Sequence, residues 1–513
     1  MTSTLEVRKS AGATGPAPAR LPPLTSSHRR WRLPGLDTLY TMVFAVVGLG
    51  VGIERLSDNS FFLHLRTGRW ILERGIPHVD PFSYVAAGTD WVAQSWLAET
   101  LYAALERVAG PFAIRVLVAT VAVAVFVVAF RLALHLVGDR VRAALLTVST
   151  LGPVFVLWSE RPLIFGVLFL LVVIWLVEIP SSWVGRHEVA VLVIVFWLWA
   201  NIHGSFALGF AYLGLHVLGR WAQGAAPWRG RERTLVVATG AAFAVCFLTP
   251  YGPDLVAFPV ELVTRSEALR DVVEWSSPDF HRASGIVFLA WVLVFAAVLA
   301  TTRRRASIRD LIVTLPFLAL GFWALRNIAI APLVALPVLA RAVAVPASFP
   351  VGRIARHRAR RDQAPSRPFV SMILVVLGVL SVTLVVRASS EPDFAFSGYP
   401  VRAMDAVAAD GLLGRRLLTD DADGGYVLLR YGLRQPVFLD DRFDMYPQPV
   451  LDDFTVVNGG QPGWDRVLER RDVEVVVWGR DRVLTQLLRR EPGWREIHHD
   501  RLHVVFVRDD VAS

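Results

Sequence analysis

The chain has 513 residues, of which 54% are hydrophobic and only 19% charged, and its mean hydropathy is +0.47, a balance that excludes an ordinary soluble protein of this length. The formal charge of +9 does not point to nucleic acid, because the arginines concentrate in short loops between apolar runs, where they orient a membrane chain. The single cysteine, Cys246, lies inside an apolar run, which excludes an intrachain disulfide framework and a cysteine metal site.

Residues 1–35, rich in Pro, Ala, Ser and Arg, read as a disordered cytoplasmic tail. The apolar run 36–56 has no A-x-A cleavage motif after it and reads as a retained helix. Further runs lie near 111–137, 141–158, 163–179, 188–202, 205–222, 234–249, 285–300, 309–325, 328–344 and 369–387. Since a crossing takes roughly 20 helical residues, the pattern predicts about eleven transmembrane helices within 36–387.

Arg29, Arg30 and Arg32 precede the first span. Arg140 and Arg142, then Arg229, Arg231 and Arg233, then Arg303, Arg304, Arg305 and Arg309, and finally the cluster Arg353, Arg356, Arg358, Arg360, Arg361 and Arg367 occupy alternate loops. The positive-inside rule makes all of these cytoplasmic, and an odd span count then exports residues 388–513. The expected fold class is a polytopic α-helical membrane protein with a C-terminal extracytoplasmic α/β domain. Heavy use of Ala, Arg and Val suits a GC-rich bacterial genome.

Unusual polar residues fall at the opposite ends of the spans: Asp58, His64, Asp80, Asp90, Glu99, Arg161, Asn201, His203, Tyr251, Glu274, Arg326 and Asn327. Ionisable groups at membrane depth are expensive and usually line a cavity or pair with one another. Each alone also reads as a helix-end residue reaching for the interface. As a set they point to one shared extracytoplasmic cavity, because Arg161-Pro162, Asn201-Ile202-His203 and Arg326-Asn327 interrupt apolar stretches with almost no loop around them.

The segment 57–110 is the longest one outside the membrane before the C-terminal domain. Phe61, Phe62, Leu65, Trp70, Ile71 and Leu72, interleaved with His64, Arg66, Arg69 and Glu73, predict a helix lying at the interface, ended by Gly75 and Pro77. A turn at Asp80-Pro81-Phe82-Ser83-Tyr84 follows, and Asp90-Trp91 is expected to open a second helix.

This layout, with Ser57-Asp58-Asn59-Ser60 directly after the first span, His64-Leu65-Arg66-Thr67-Gly68, Asp80-Pro81-Phe82-Ser83 and Gln94-Ser95-Trp96-Leu97, resembles the GT-C membrane glycosyltransferases, which use polyprenyl-phosphate-linked sugars. The resemblance implies that Asp58, with Asp80 as a second candidate, is the catalytic carboxylate that takes the acceptor proton. It also implies that Arg161 and Arg326 bind the departing polyprenyl phosphate, since guanidinium holds phosphate oxygens in a bidentate way. His64 and His203 would assist, with Asn201, Glu274 and Asn327 completing the cavity. The partners implied are a polyprenyl-phosphate-linked sugar, an envelope glycan, lipid or protein acceptor, and membrane lipid. Ser60 stands where relatives carry a second acid. Asp58 also fits a helix N-cap, and Asp80 before Pro81 fits a turn.

From about Ser389 the apolar runs shorten to strand length. Arg416–Thr419, Pro436–Leu439, Val473–Trp478 and His503–Val507 predict strands, and Val401–Ala409 and Arg480–Arg489 predict helices. Asp420, Asp421 and Asp423, then Asp440, Asp441 and Asp444 beside Arg442, follow two of these strands, where a divalent cation or sugar hydroxyls could bind. Their neighbourhood, with Asp423-Gly424-Gly425, reads more readily as turns.

No P-loop, G-x-G-x-x-G, H-E-x-x-H or G-x-S-x-G motif occurs, so nucleotide hydrolysis and serine or zinc hydrolysis find no support. Two readings remain: an extracytoplasmic glycosyltransferase, and a non-catalytic envelope protein on the same scaffold that binds a partner or glycan. A transporter ranks below both, since the polar residues gather at one surface rather than at the midplane.

Overall fold

The computed structural model describes residues 34–179, 182–265, 272–344 and 367–511. The expected N-terminal tail, apart from its last two residues, and the basic cluster from Arg353 to Arg361 lie outside the described residues.

The helices, in chain order, are α1 Leu36–Gly52, α2 Asn59–Arg74, α3 Trp96–Ala109, α4 Pro111–Val137, α5 Arg140–Val156, α6 Leu163–Glu178, α7 Ser182–Ile202, α8 Phe206–Ala222, α9 Gly230–Val245, α10 Pro253–Thr264, α11 Ala283–Thr301, α12 Ile308–Trp323, α13 Ile330–Val343 and α14 Arg367–Ser390. Every apolar run read from the sequence becomes a helix. Among the described residues, four are long and apolar enough to cross a membrane: Pro111–Val137, Ala283–Thr301, Leu325–Val343 and Pro368–Ser390. Leu36–Gly52, Leu163–Glu178 and His187–Ile202 are apolar but shorter. With α5, α8, α9 and α12 at 16 or 17 residues, the figure of eleven goes beyond what length and composition carry.

Small residues set a close helix pairing. A Cβ on Gly48 would lie 2.8 Å from the Val123 Cα, and one on Gly52 2.5 Å from the Ala119 Cα, so α1 and α4 approach backbone to backbone, as small-residue spacing permits in apolar surroundings.

The basic loops meet at one end of the bundle. Arg140 pairs with Asp37, Arg142 donates to the Val343 carbonyl at 2.8 Å, and Arg231 donates to the Leu176 carbonyl at 2.9 Å. Glu178, Arg309, Arg341 and Asp310 form a closed ion network there.

At the other end, α2 is capped by Asp58, whose side chain accepts from the Phe61 N–H at 3.1 Å, and stops at Gly75, whose φ of 88° favours glycine. Its apolar face was expected at the membrane interface. Phe61, Phe62, Leu63 and Leu65 are instead buried by protein: Phe61 meets Tyr102 of α3, and Phe62 meets Phe394, Phe396 and Tyr399. The second loop helix starts at Trp96 rather than Asp90, because Asp90 bridges antiparallel to Val79 and closes the intervening turn.

The C-terminal region holds α15 Val401–Ala409, β1 Leu417–Thr419, α16 Asp421–Tyr431, α17 Gln448–Asn458, α18 Trp464–Arg470, β2 Val475–Gly479, α19 Val483–Leu488, β3 Trp494–His499 and β4 His503–Arg508. Its sheet runs β1-β2-β4-β3, with β1 parallel to β2 and the other pairings antiparallel. Pro436–Leu439 is no strand. Val437 makes only single bridges, to Leu417 and to Ser83 of the 57–110 loop. The β3 strand was not anticipated: none of its residues is fully buried and Arg495 and His499 are exposed, so it lacks the apolar run that marks β2 and β4.

Candidate active site

A cavity of about 730 Å³ lies where the 57–110 loop, the helix ends away from the basic loops and the C-terminal region meet. Of the candidates read from sequence, His64, Arg161, His203, Glu274 and Arg326 line it.

The Arg161 Nε donates to both Asp58 oxygens, at 2.8 and 2.9 Å, and its Nη1 donates to Glu274. Asp58 stands behind Arg161 and caps α2. It is held further by Glu160, whose Oε1 accepts the Asp58 N–H at 2.8 Å. Arg326 lies on the Trp275 ring, 4.6 Å from its centroid. The other lining arginines, Arg161, Arg442 and Arg482, each pair with a carboxylate. Among the described residues, Arg326 has no carboxylate within ion-pair range.

His64 Nδ1 lies 2.7 Å from Glu99 Oε1. His203 Nδ1 accepts the Ser205 N–H at 3.1 Å, which fixes the tautomer with a proton on Nε2 when the ring is neutral. Three candidates fall elsewhere. Asp80 is buried and does not line the cavity: it accepts from the Phe82 and Ser83 N–H groups and pairs with Arg442 at 2.8 Å. Asn201 is buried, accepting from Trp96 Nε1 at 3.0 Å and donating to the Trp197 carbonyl at 2.8 Å. Asn327 donates to the Leu320 carbonyl at 3.2 Å and is not among the lining residues. Polar groups removed from water find partners, and buried Asp80 and Asn201 find theirs inside the fold, while half-buried Asn327 bonds the neighbouring helix end.

The opposite wall comes from segments read in the sequence as turns. Asp421 and Asp441 line the cavity, and so does Asp444. Asp423-Gly424-Gly425 is not a turn but the first helical turn of α16, capped by Asp420 accepting from the Ala422 N–H. The glycines serve close approach: a Cβ on Gly425 would collide with the Asn59 carbonyl oxygen of α2. Asp441 accepts from the Ser60 hydroxyl. Ser60, at the position where the resemblance implies a second acid, thus joins an acid from the far end of the chain to the 57–110 loop.

Burial raises the Asp441 carboxyl to about 6, with Asp440 adding and the Ser60 bond opposing. Burial also raises Asp421 to about 8, with the bond and charge of Asp420 and the charge of Asp441 adding. Carboxylates whose proton affinity is lifted into this range are suited to proton transfer near neutrality. No group of three or more His, Cys, Asp or Glu able to hold a metal ion occurs among the described residues.

No protein-family model matches the chain, and its sequence matches no curated protein. The structure is similar to the apo oligosaccharyltransferase of Archaeoglobus fulgidus, with a TM-score of 0.50 at 13% identity over 86% of this chain and 69% of that one. The likeness is one of fold, shared with that oligosaccharyltransferase. Also similar are the archaeal oligosaccharyltransferase AglB from A. fulgidus in complex with an inhibitory peptide and a dolichol-phosphate (TM-score 0.49, 13% identity, 88% of this chain, 70% of that chain), and ArnT from Cupriavidus metallidurans bound to undecaprenyl phosphate (TM-score 0.48, 15% identity, 92% of this chain, 97% of that chain). On this shared fold, the cavity joins the 57–110 loop to the C-terminal region.

Proposed function

We propose that this protein is an extracytoplasmic glycosyltransferase of a bacterial envelope, which moves a sugar from a polyprenyl-phosphate carrier to a glycan, lipid or protein hydroxyl. The observation that carries the proposal is Arg326, a lining guanidinium with no carboxylate partner among the described residues, in one cavity with two carboxylates of raised proton affinity. A free cation suits the phosphate that leaves, and a carboxylate that is ionised at working pH yet still basic suits the acceptor proton. In this reading Asp441 is the base, and Asp58, occupied by Arg161 and the α2 cap, orients Arg161. The spans number eleven, the basic loops face the cytoplasm and residues 388–513 are exported.

The test is complementation of a deletion strain by wild type, Asp441→Asn and Arg326→Ala, with envelope glycans and lipid-linked sugars measured by mass spectrometry. Loss of one glycan with build-up of its lipid-linked donor, in the deletion and in both variants, is the expected result. The engagement of Asp58 favours one alternative, a non-catalytic scaffold that binds a partner or glycan. That reading stands if both variants restore the glycan profile at normal protein levels.

A further inference from the structure

At the end of the bundle away from the cavity, the last turns of α8, α11 and α13 and the first turn of α12 enclose a second hollow of about 290 Å³. Arg220, Arg304, Arg305, Arg309 and Arg341 line it, against one lining carboxylate, Asp310. Glu178 stands behind Arg309 and Arg341, and Glu232 pairs with Arg220. Three carboxylates thus face five guanidinium groups. The two left over are Arg304 and Arg305, both exposed and without an ion pair among the described residues. The Arg341 Nε is buried with no hydrogen-bond partner, although its two other nitrogens are engaged by Glu178 and Asp310 at 2.6 Å.

The hollow is apolar on one side. Leu299 and Val338 line it from within membrane-length helices. Beside it on α12, Ile308 and Leu311 are 55% and 42% exposed. A basic rim above an apolar, outward-facing wall, at the last turn of two spans, sits at headgroup depth and matches an amphiphile rather than a free ion.

We propose that this hollow binds the headgroup of an anionic phospholipid, its phosphodiester oxygens held by Arg304, Arg305 and the unfilled Arg341 Nε, its acyl chains lying on Ile308 and Leu311. Guanidinium forks fit phosphate oxygens in pairs, and basic pockets between spans favour anionic headgroups. The site is independent of the transferase reading, since it shares no residue with the cavity. It does share a segment: Arg326 lies in the 3-10 turn Leu325–Ala329 that leads into α13, and Arg341 lies in the last turn of α13.

The test uses the purified full chain, delipidated in neutral detergent and followed by native mass spectrometry with phosphatidylglycerol, phosphatidylcholine or sn-glycerol 3-phosphate. Phosphatidylglycerol should be retained as one saturable adduct. Retention should exceed that of phosphatidylcholine, and fall in Arg304→Ala/Arg305→Ala, by about tenfold or more, as the loss of two surface arginines implies. The charge-matched control Arg466→Ala/Arg501→Ala, at exposed positions of the C-terminal region, should bind like wild type. Equal retention of the two lipids, or no loss in Arg304→Ala/Arg305→Ala, would overturn the proposal. Displacement of the lipid by equimolar glycerol phosphate would overturn it as well, in favour of a free anion.

Discussion

Arg326 is the lining arginine whose charge is not already spoken for, so its removal should act on turnover more than on folding. Arg326→Ala should lower kcat by about 100-fold or more, in the range seen when one transition-state contact is lost, with Arg326→Lys recovering part of it; steady-state kinetics on a lipid-linked donor would check this. Asp441, raised to about 6, must be ionised to accept a proton. Activity should therefore rise with pH through about 6 and flatten above it, and Asp441→Asn should remove activity at every pH. Asp421 makes a prediction about stability. Its folded carboxyl is raised to about 8, chiefly by burial, with Asp420 and Asp441 facing it. The unfolded carboxyl, at an ordinary value of about 3.9, ionises first as pH rises, so folding weakens from about pH 4 upward until the folded group also ionises. Asp421→Asn should cancel that slope, so its gain in Tm over wild type should be larger at pH 8 than at pH 5, by on the order of 2–4 °C per kcal/mol relieved. A gain that does not change with pH would remove Asp421 from the account.

At the level of elements, the docking of α16 on α2 decides whether the cavity has a second wall. Gly425 sits against the Asn59 carbonyl, and an added side chain has nowhere to go. Gly425→Val should cost about 1–3 kcal/mol by overpacking and open the 391–400 connection to protease, while Gly424 and the sheet remain as they are; limited proteolysis with a thermal melt would show it. The helices at the eleven apolar runs were legible from run length, and so were β1, β2, β4 and α15, whereas α10, α16, α17 and α18 were not. The lining residues His64, Arg161, His203, Glu274 and Arg326 announced themselves as polar breaks in apolar runs. Asp80, Asn201 and Asn327 carry the same signal, yet turn to partners within the fold, and which way a polar residue faces is a matter of tertiary packing that a linear pattern does not contain. Asp421 and Asp441 were legible as candidate ligands, yet Asp-rich stretches read more readily as turns until the C-terminal region is placed against the 57–110 loop.

For the whole molecule, the arginine-rich loops and the cavity occupy opposite ends of one bundle, which makes orientation testable with two probes. In a Cys246→Ser background, Arg466→Cys should react with an impermeant thiol reagent in intact cells, and Arg304→Cys should react only after permeabilisation; the reverse pattern would place the cavity on the cytoplasmic side and sink the extracytoplasmic reading. The buried Arg442 clamp bears on how such a chain comes into being. Arg442 grips Asp80 of the 57–110 loop and Asp440 beside it at 2.8 and 2.6 Å, against the rings of Trp91 and Tyr446. Asp80 leaves the ribosome more than 350 residues before Arg442 does, and until then its carboxylate lacks this partner. A growing chain thus makes its helices before the second wall of the cavity exists, and the loop that carries Asp80 is sealed only when the final stretch docks on it. Chains cut short would lack that wall and leave the loop open.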